Sequence, residues 1–329
     1  MTQKELTDKI FSIQSDSDFE ALAMDIFHFQ AAENSVYREY LDHLKIAPSS
    51  VKTIYQIPFL PIEFFKSHKI ISTESASPII FSSSGTTGTT TGLHYIADLG
   101  MYEKSFRKGF DYFYGAISDY CILALLPSYL EREGSSLVYM VNDLITGSKN
   151  ADSGFYLYNL DELVIKIKKV TSENKKILLI GVTYALLDLA EIFVGKIPGA
   201  IVMETGGMKG KRKEMIREEL HEMLCKAFGV QKIHSEFGMT ELLSQAYSNG
   251  DGIFKCPPWM RILIRDANDP FSIMNPRRTG GINVIDLANI HSCSFIATQD
   301  LGRQFEDTSF EILGRFDSSD LRGCNLLMG

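Results

Sequence analysis

The strongest constraint on the fold is an alternation. Between about residues 78 and 252, short apolar runs take turns with segments of helical periodicity. Ile79-Ile-Phe-Ser, Cys121-Ile-Leu-Ala-Leu-Leu, Lys176-Ile-Leu-Leu-Ile-Gly, Ala200-Ile-Val-Met-Glu and Lys232-Ile-His-Ser-Glu read as strands. Helices are expected near 101–114, 135–147, 160–171, 184–194 and 211–227. The last would carry Met215, Ile216, Leu220, Met223 and Leu224 on one face, with charges opposite. Strands alternating with helices build βαβ units, so the class expected is α/β with a largely parallel, buried sheet.

Two stretches depart from this rhythm. Residues 4–45 read as helices, with Leu6, Ile10, Phe11, Phe19, Leu22, Ile26 and Phe27 at helical spacing. Asp16-Ser-Asp supplies turn and N-cap residues between two of them. Pro58 and Pro61 mark a rigid connector. After about residue 252 helices give way to short strands at Met260–Ile264, Gly281–Ile285, Ser294–Thr298 and Phe310–Leu313. The organisation expected is a helical segment over 1–75, an α/β nucleotide-binding core over 76–252, a β-rich subdomain over 253–314 and a hinge and tail over 315–329.

Composition removes whole classes. With 45% apolar residues the chain has ample material for a core, which excludes bulk disorder. Its net charge of −8 disfavours nonspecific binding to nucleic acid. No apolar run reaches the roughly 18–20 residues of a membrane span, and the first residues lack the apolar core of a signal peptide. The 5 cysteines are odd in number and form no CxxC pair, so neither a disulfide framework nor a zinc knuckle is expected. The expectation is a reduced, soluble, cytoplasmic protein.

Five segments have the residues for chemistry. Ser82-Ser-Ser-Gly-Thr-Thr-Gly-Thr-Thr-Thr-Gly92 follows a strand expected to be buried. Its glycines let successive N–H groups turn toward one point and its hydroxyls add donors, which suits a polyphosphate. The same composition also makes an ordinary flexible loop. It is not a Walker A loop, because no Gly-Lys-Ser/Thr follows. Glu204-Thr-Gly-Gly-Met-Lys-Gly-Lys-Arg ends a strand, where open α/β sheets bind ligands, or is simply a basic strand-to-helix turn. Ser235-Glu-Phe-Gly-Met-Thr-Glu241 brings carboxylates and a hydroxyl to another strand end; carboxylate plus phosphate is the usual ligation of Mg²⁺, and a polar turn is the alternative. Asp300, in Thr298-Gln-Asp-Leu-Gly-Arg303, ends a strand where it can accept two hydrogen bonds from a ribose diol. Gly314-Arg-Phe-Asp is a turn between strand-like residues.

Taken in this order, the five segments resemble the adenylate-forming superfamily of acyl-CoA synthetases, adenylation domains and firefly-type luciferases. The chain is most similar to the acyl-protein synthetase family, the fatty-acid-activating subunit of bacterial bioluminescence and its non-luminous relatives. Ile57-Pro-Phe-Leu-Pro-Ile-Glu-Phe-Phe-Lys, Glu236-Phe-Gly-Met-Thr-Glu-Leu-Leu-Ser-Gln-Ala-Tyr and Asp286-Leu-Ala-Asn through Thr298-Gln-Asp-Leu-Gly carry that likeness. The fold it implies is the N-terminal domain of an adenylate-forming enzyme. The activity it implies is ATP-dependent conversion of a carboxylic acid, a long-chain fatty acid first among them, to an acyl-adenylate. The acyl group would then pass to an enzyme cysteine and on to a partner such as an acyl reductase or carrier protein.

The resemblance also assigns residues. Ser83, Ser84, Gly85, Thr86, Thr87 and Gly88 would hold the ATP phosphates, and Gly206 and Gly207 would lie against the adenine. Thr240 would touch the α-phosphate, Glu241 would ligate Mg²⁺, and Asp300 would bind the ribose with Arg315 nearby. Cys324 is the expected acyl acceptor, with Cys293 its rival. His94 is a further possible phosphate contact and His234 a packing or pocket residue. Two departures stand out. Thr89-Thr-Thr-Gly replaces the lysine that usually ends the phosphate loop, leaving Lys209, Lys211 and Arg212 as possible sources of charge. Only 14 residues follow Arg315, so the superfamily's mobile C-terminal domain, with its catalytic lysine, is expected to be largely absent. An acid–CoA ligase of the phenylacetate type and an idle nucleotide-binding subunit are the alternatives.

Overall fold

A computed structural model describes residues 2–73, 79–83, 91–127, 134–206, 212 and 215–316. Three helices open the chain: α1 (Gln3–Ile10), α2 (Asp16–Glu33) and α3 (Ser35–His43). Their starts are written locally. Thr2 with Glu5, and Ser15 with Asp18, form reciprocal capping boxes, and Asn34 caps α3 through Tyr37 N–H. The proline-rich connector holds β1 (Leu60–Pro61), followed by α4 (Phe64–Ser67). Tyr37 Oη donates to the Pro58 carbonyl at 2.6 Å and so fixes the connector to α3.

The next strands are β2 (Ile79–Ser82) and β3 (Leu93–Ile96), then α5 (Leu99–Tyr114), capped by Asp98. The alternation follows as β4 (Tyr120–Leu125), α6 (Ser136–Ser148), β5 (Gly154–Phe155), α7 (Leu160–Ser172), β6 (Lys176–Val182), α8 (Thr183–Ile192), β7 (Ile201–Thr205) and α9 (Arg217–Phe228). The chain then runs through β8 (His234–Phe237), β9 (Ala246–Ser248), β10 (Ile253–Lys255), β11 (Met260–Arg265), β12 (Thr279–Asp286), β13 (Phe295–Gln304) and β14 (Phe310–Arg315).

Among the described residues one large sheet runs in the order β11-β12-β13-β14-β10-β9-β8-β7-β6-β4-β5. The β5-β4-β6-β7-β8 portion is parallel, as the alternation requires. From β8 onward the pairing turns antiparallel, so the β-rich stretch after 252 hydrogen-bonds into the same sheet. β1 adds to it beside β13, in parallel, so the connector is partly a strand. β4 is buried along its whole length, as a strand covered by helices on both faces must be.

Two expectations change. The Ile79–Ser82 strand is not a member of the parallel sheet. Among the described residues it pairs only with β3, as a two-stranded antiparallel ribbon that exposes Ile79 and Ile80 and buries Phe81. An apolar run signals a strand but not its partner. Helix α9 starts at Arg217, so Met215 and Ile216 precede it, and its buried face is Leu220, Leu224 and Phe228. Ile216 and Met223 are exposed.

The amino-terminal helices reach the centre of the molecule. Gln30 of α2, fully buried, donates to the carbonyls of Asn289 and Ile290 at 3.1 and 2.9 Å and accepts from Ser294 N–H at 2.9 Å. The turn between β12 and β13 is thus held in part by this amide, together with Asn34 Nδ2, which donates to the Ser292 carbonyl at 2.9 Å.

Candidate active site

The described parts of the candidate segments converge at one end of the sheet. β2 and β3 form the base of the Ser/Thr/Gly loop. There Ser83 N–H donates to the Gly92 carbonyl at 3.0 Å, and Gly92 N–H donates to Ser83 Oγ at 2.8 Å. The reciprocal pair closes the loop at its stem and uses one of the hydroxyls expected to meet phosphate. Ser84, Gly85, Thr86, Thr87 and Gly88 lie outside the described residues, as do Gly207, Lys209, Lys211 and Cys324.

Thr240 and Glu241 follow β8. The Glu241 side chain lies against the stem: a Cβ built on Gly92 would stand 2.7 Å from Glu241 Oε1. Glycine at 92 therefore matters for this close approach. The Glu241 carboxyl forms no ion pair within 4 Å among the described residues. Burial raises its pKa, opposed by the positive charges of Arg315 and Lys66 and assisted by Asp300. A buried carboxylate without a paired cation among the described residues, beside a loop whose sequence is rich in donors, fits a hard cation shared with phosphate oxygens. Glu241 is the residue that would hold Mg²⁺.

Asp300 and Arg315 meet through register. Antiparallel pairing of β13 and β14 sets them opposite each other, and Arg315 Nε lies 3.3 Å from Asp300 Oδ1. Asp300 sits on a bulge, where Ile282 alone on β12 faces Thr298–Asp300 on β13. Bulges re-aim side chains at strand ends. Thr298 Oγ1 braces this one by donating to the Ile282 carbonyl at 2.9 Å and accepting from Asp300 N–H at 3.0 Å. Arg265 backs it, donating to the Thr298 carbonyl at 2.6 Å and the Ile282 carbonyl at 2.9 Å. Burial raises the Asp300 pKa, and Arg315 and Arg265 pull it back. Arg315 itself is largely exposed.

Gly206 ends β7 with φ of 64°, a left-handed conformation that favours glycine. Its carbonyl accepts from Thr183 Oγ1 at 2.8 Å. One residue back, Thr205 donates to Glu236 on the neighbouring strand at 2.5 Å. Glu236 is buried, and desolvation pushes its pKa up to about 7.

Three other expectations are corrected. His94 does not offer itself to a phosphate: it is fully buried, with Nδ1 2.8 Å from the Thr240 carbonyl and Nε2 3.1 Å from Asn289 Oδ1. Arg212 is no free source of charge, because it pairs with Asp188 and Glu191 of α8. Cys293 is a poor rival nucleophile. Its thiol is buried, donates to the Phe295 carbonyl at 3.4 Å and has its pKa pushed up to about 12 by desolvation. His234 is half-buried beside Tyr114, whose hydroxyl lies 3.3 Å from Nδ1.

Several participants were not singled out from sequence. Asp286 accepts Leu243 N–H at 2.7 Å, Ser244 N–H at 2.9 Å and Ser244 Oγ at 2.6 Å, so it fixes the chain just after Glu241. Lys66, Asn289 and Arg265 complete the surroundings. Asp286, Asn289 and Lys66 all fall in the segments that carry the family likeness, which is the signal that pointed to them.

Solved structures with this architecture include a CoA ligase and the ATP-bound protein MatB. An open conformation of 2-hydroxyisobutyryl-CoA ligase in complex with 2-HIB-AMP and CoA superposes with a TM-score of 0.68 at 10% identity, over 94% of this chain and 78% of that one. The same ligase in its thioesterification state gives 0.66 at 13% identity, over 97% and 70%. ATP-bound MatB from Rhodopseudomonas palustris gives 0.56 at 17% identity, over 74% and 49%, so this chain spans about half of MatB's length. The fold is that of the N-terminal domain of adenylate-forming enzymes. The family model described as "Acyl-protein synthetase, LuxE" matches residues 11–329, and the chain belongs to that family. No curated protein matches the sequence.

Proposed function

We propose that this chain activates a carboxylic acid with ATP and then carries the acyl group as a protein thioester. The observation that supports this most is the convergence of the loop stem at Ser83 and Gly92, the Thr240–Glu241 turn, and the Asp300–Arg315 pair at one edge of the sheet. In the reaction a carboxylate oxygen attacks the α-phosphorus of ATP. The bond to the bridging oxygen breaks and pyrophosphate leaves. The residues that do this work position and neutralise more than they move protons. Asp300 accepts the ribose hydroxyls, Thr240 donates to an α-phosphate oxygen, and Gly206 lets the backbone approach the base. Glu241 would hold Mg²⁺, which would supply neutralisation of phosphate charge. A thiolate then adds to the acyl carbonyl, AMP departs with the bonding electrons, and a thioester remains.

Cys324 is the proposed thiol. Burial of Cys293 supports that choice by removing its rival. Membership of an acyl-protein synthetase family supports a fatty acid as substrate and an acyl-accepting protein as final partner. Free CoA as acceptor is the second reading, favoured by the shared fold of 2-hydroxyisobutyryl-CoA ligase. The test uses labelled fatty acid with Mg·ATP, without CoA. The wild-type chain should hold covalent label through denaturation, and Cys324→Ala should form acyl-adenylate but hold no label. Label retained by Cys324→Ala, or acyl-CoA as the sole acylated product when CoA is added, would overturn the thiol assignment.

A further inference from the structure

The main chain that carries Thr240 and Glu241 is held by side chains from two other places. Asp286 takes Leu243 N–H and Ser244 N–H. Asn289 Nδ2 donates to the Glu241 carbonyl at 2.8 Å and to the Cys293 carbonyl at 2.9 Å. His94 Nδ1 meets the Thr240 carbonyl at 2.8 Å. The Thr240 hydroxyl and the Glu241 carboxyl, the two groups expected to act on the nucleotide, take no part in these three anchors.

His94 differs from the other two anchors in its position. It lies on β3, two residues beyond Gly92, whose backbone closes the stem of the Ser/Thr/Gly loop. The imidazole therefore ties that stem to the Glu241 turn. It is boxed in on every side. Phe65 of α4 packs edge-on at 5.5 Å, Thr240 faces one nitrogen, and Asn289 faces the other. Because the Asn289 amide nitrogen is committed to two carbonyls, its oxygen is what remains to face the ring. Burial pushes the His94 pKa down to about 4, so the ring is neutral at physiological pH and carries one N–H. Both ring nitrogens face acceptor oxygens, and we assign the single proton to the shorter contact, Nδ1 to the Thr240 carbonyl.

We propose that His94 and Asn289 are positioning residues that lock the Glu241 turn onto the stem of the phosphate-binding loop, so that cation and polyphosphate are met by a preset carboxylate. This inference rests on the reading of Glu241 as the cation ligand. Groups that orient a metal-binding side chain typically change metal affinity or activity by about 10–100-fold when lost.

The experiment compares His94→Leu, His94→Asn and His94→Gln with Asn289→Ala. An asparagine amide replaces the donor at Nδ1, and a glutamine amide replaces the nitrogen at Nε2. Calorimetry measures ATP affinity with Mg²⁺ and with EDTA, and acid-dependent pyrophosphate exchange gives half-saturating Mg²⁺ and KM for the acid. Urea unfolding of each variant establishes that it is folded. For His94→Leu and Asn289→Ala, half-saturating Mg²⁺ should rise about tenfold or more, with KM for the acid within twofold. Affinity for ATP in EDTA should stay unchanged. His94→Asn should recover most of the loss and His94→Gln should not. A folded His94→Leu with wild-type Mg²⁺ dependence would overturn the proposal, as would His94→Asn no better than leucine, or an equal loss in EDTA. Should leucine fail to fold, the asparagine and glutamine variants carry the comparison. Absence of exchange in the wild type would refute acid activation, while Mg²⁺-dependent ATP binding would still decide the positioning role. Absence of that binding too would refute both.

Discussion

Gly92→Ala isolates the geometry of the site from its chemistry. The glycine backbone is not in the left-handed region, so alanine carries no backbone strain. The new methyl group would meet Glu241 Oε1 at 2.7 Å and Ser83 Oγ at 3.3 Å. Both are ends of side chains, so the fold absorbs the change by moving the carboxylate roughly 0.5–0.7 Å, which returns the contact to van der Waals range. Stability should fall by less than about 1 kcal/mol in urea unfolding, as for a change that leaves core packing intact. A misplacement approaching 1 Å at a reacting centre is worth up to about 100-fold in rate, so exchange activity should drop roughly 10–100-fold. Glu241→Asp in the Gly92→Ala background retracts the carboxylate and removes the collision. The double variant should therefore lose much less than the product of the two single losses, which is the signature of contact. Multiplicative losses, or a Gly92→Ala enzyme within threefold of wild type, would refute a functional Glu241 carboxylate at the loop stem.

Other outcomes follow from the same structure. Glu236, raised from an ordinary 4.5 to about 7 by burial, stabilises the fold fully below pH 4.5 and loses that contribution as pH climbs through 7. Glu236→Gln keeps an acceptor for Thr205, so it should gain on wild type by up to about 3 kcal/mol between pH 5 and pH 8; a pH-independent difference in urea stability would contradict this. Gln30→Leu strands the Asn289 and Ile290 carbonyls in the core and should cost about 2–4 kcal/mol in urea unfolding, against a near-neutral result if the amide were dispensable. Asp300→Asn should weaken ATP binding about tenfold, the scale of one charge-assisted hydrogen bond, and leave KM for the acid in place; an unchanged nucleotide affinity would remove Asp300 from the ribose site. Cys293→Ser should leave covalent acyl labelling intact, and loss of label in that variant would restore it as the acceptor.

Much of this architecture was legible in the sequence because its signals are local. Periodicity identifies the opening helices, and the cap expected in Asp16-Ser-Asp falls one residue earlier, at Ser15. The unbroken apolar run of β4 announces a strand buried on both faces. What failed depended on partners remote in sequence. Ile79–Ser82 is a strand, but only pairing could reveal that it joins β3 instead of the sheet. Arg212 looked available beside the Gly-Gly turn, yet α8 brings Asp188 and Glu191 to it. His94 followed a loop suited to phosphate, and strand alternation turned it inward toward Thr240. The Asp300–Arg315 pair shows both sides: each residue stood in a recognisable segment, and antiparallel register made them neighbours.

The account's central claim is that the convergent edge of the sheet adenylates an acid. ATP–pyrophosphate exchange, run with a panel of fatty and aryl acids and with neither CoA nor a partner protein, tests it most directly. The account predicts exchange that depends on both acid and Mg²⁺, is abolished in Glu241→Gln, and is highest with a fatty acid. Absence of acid-dependent exchange in a folded chain that binds ATP would contradict it.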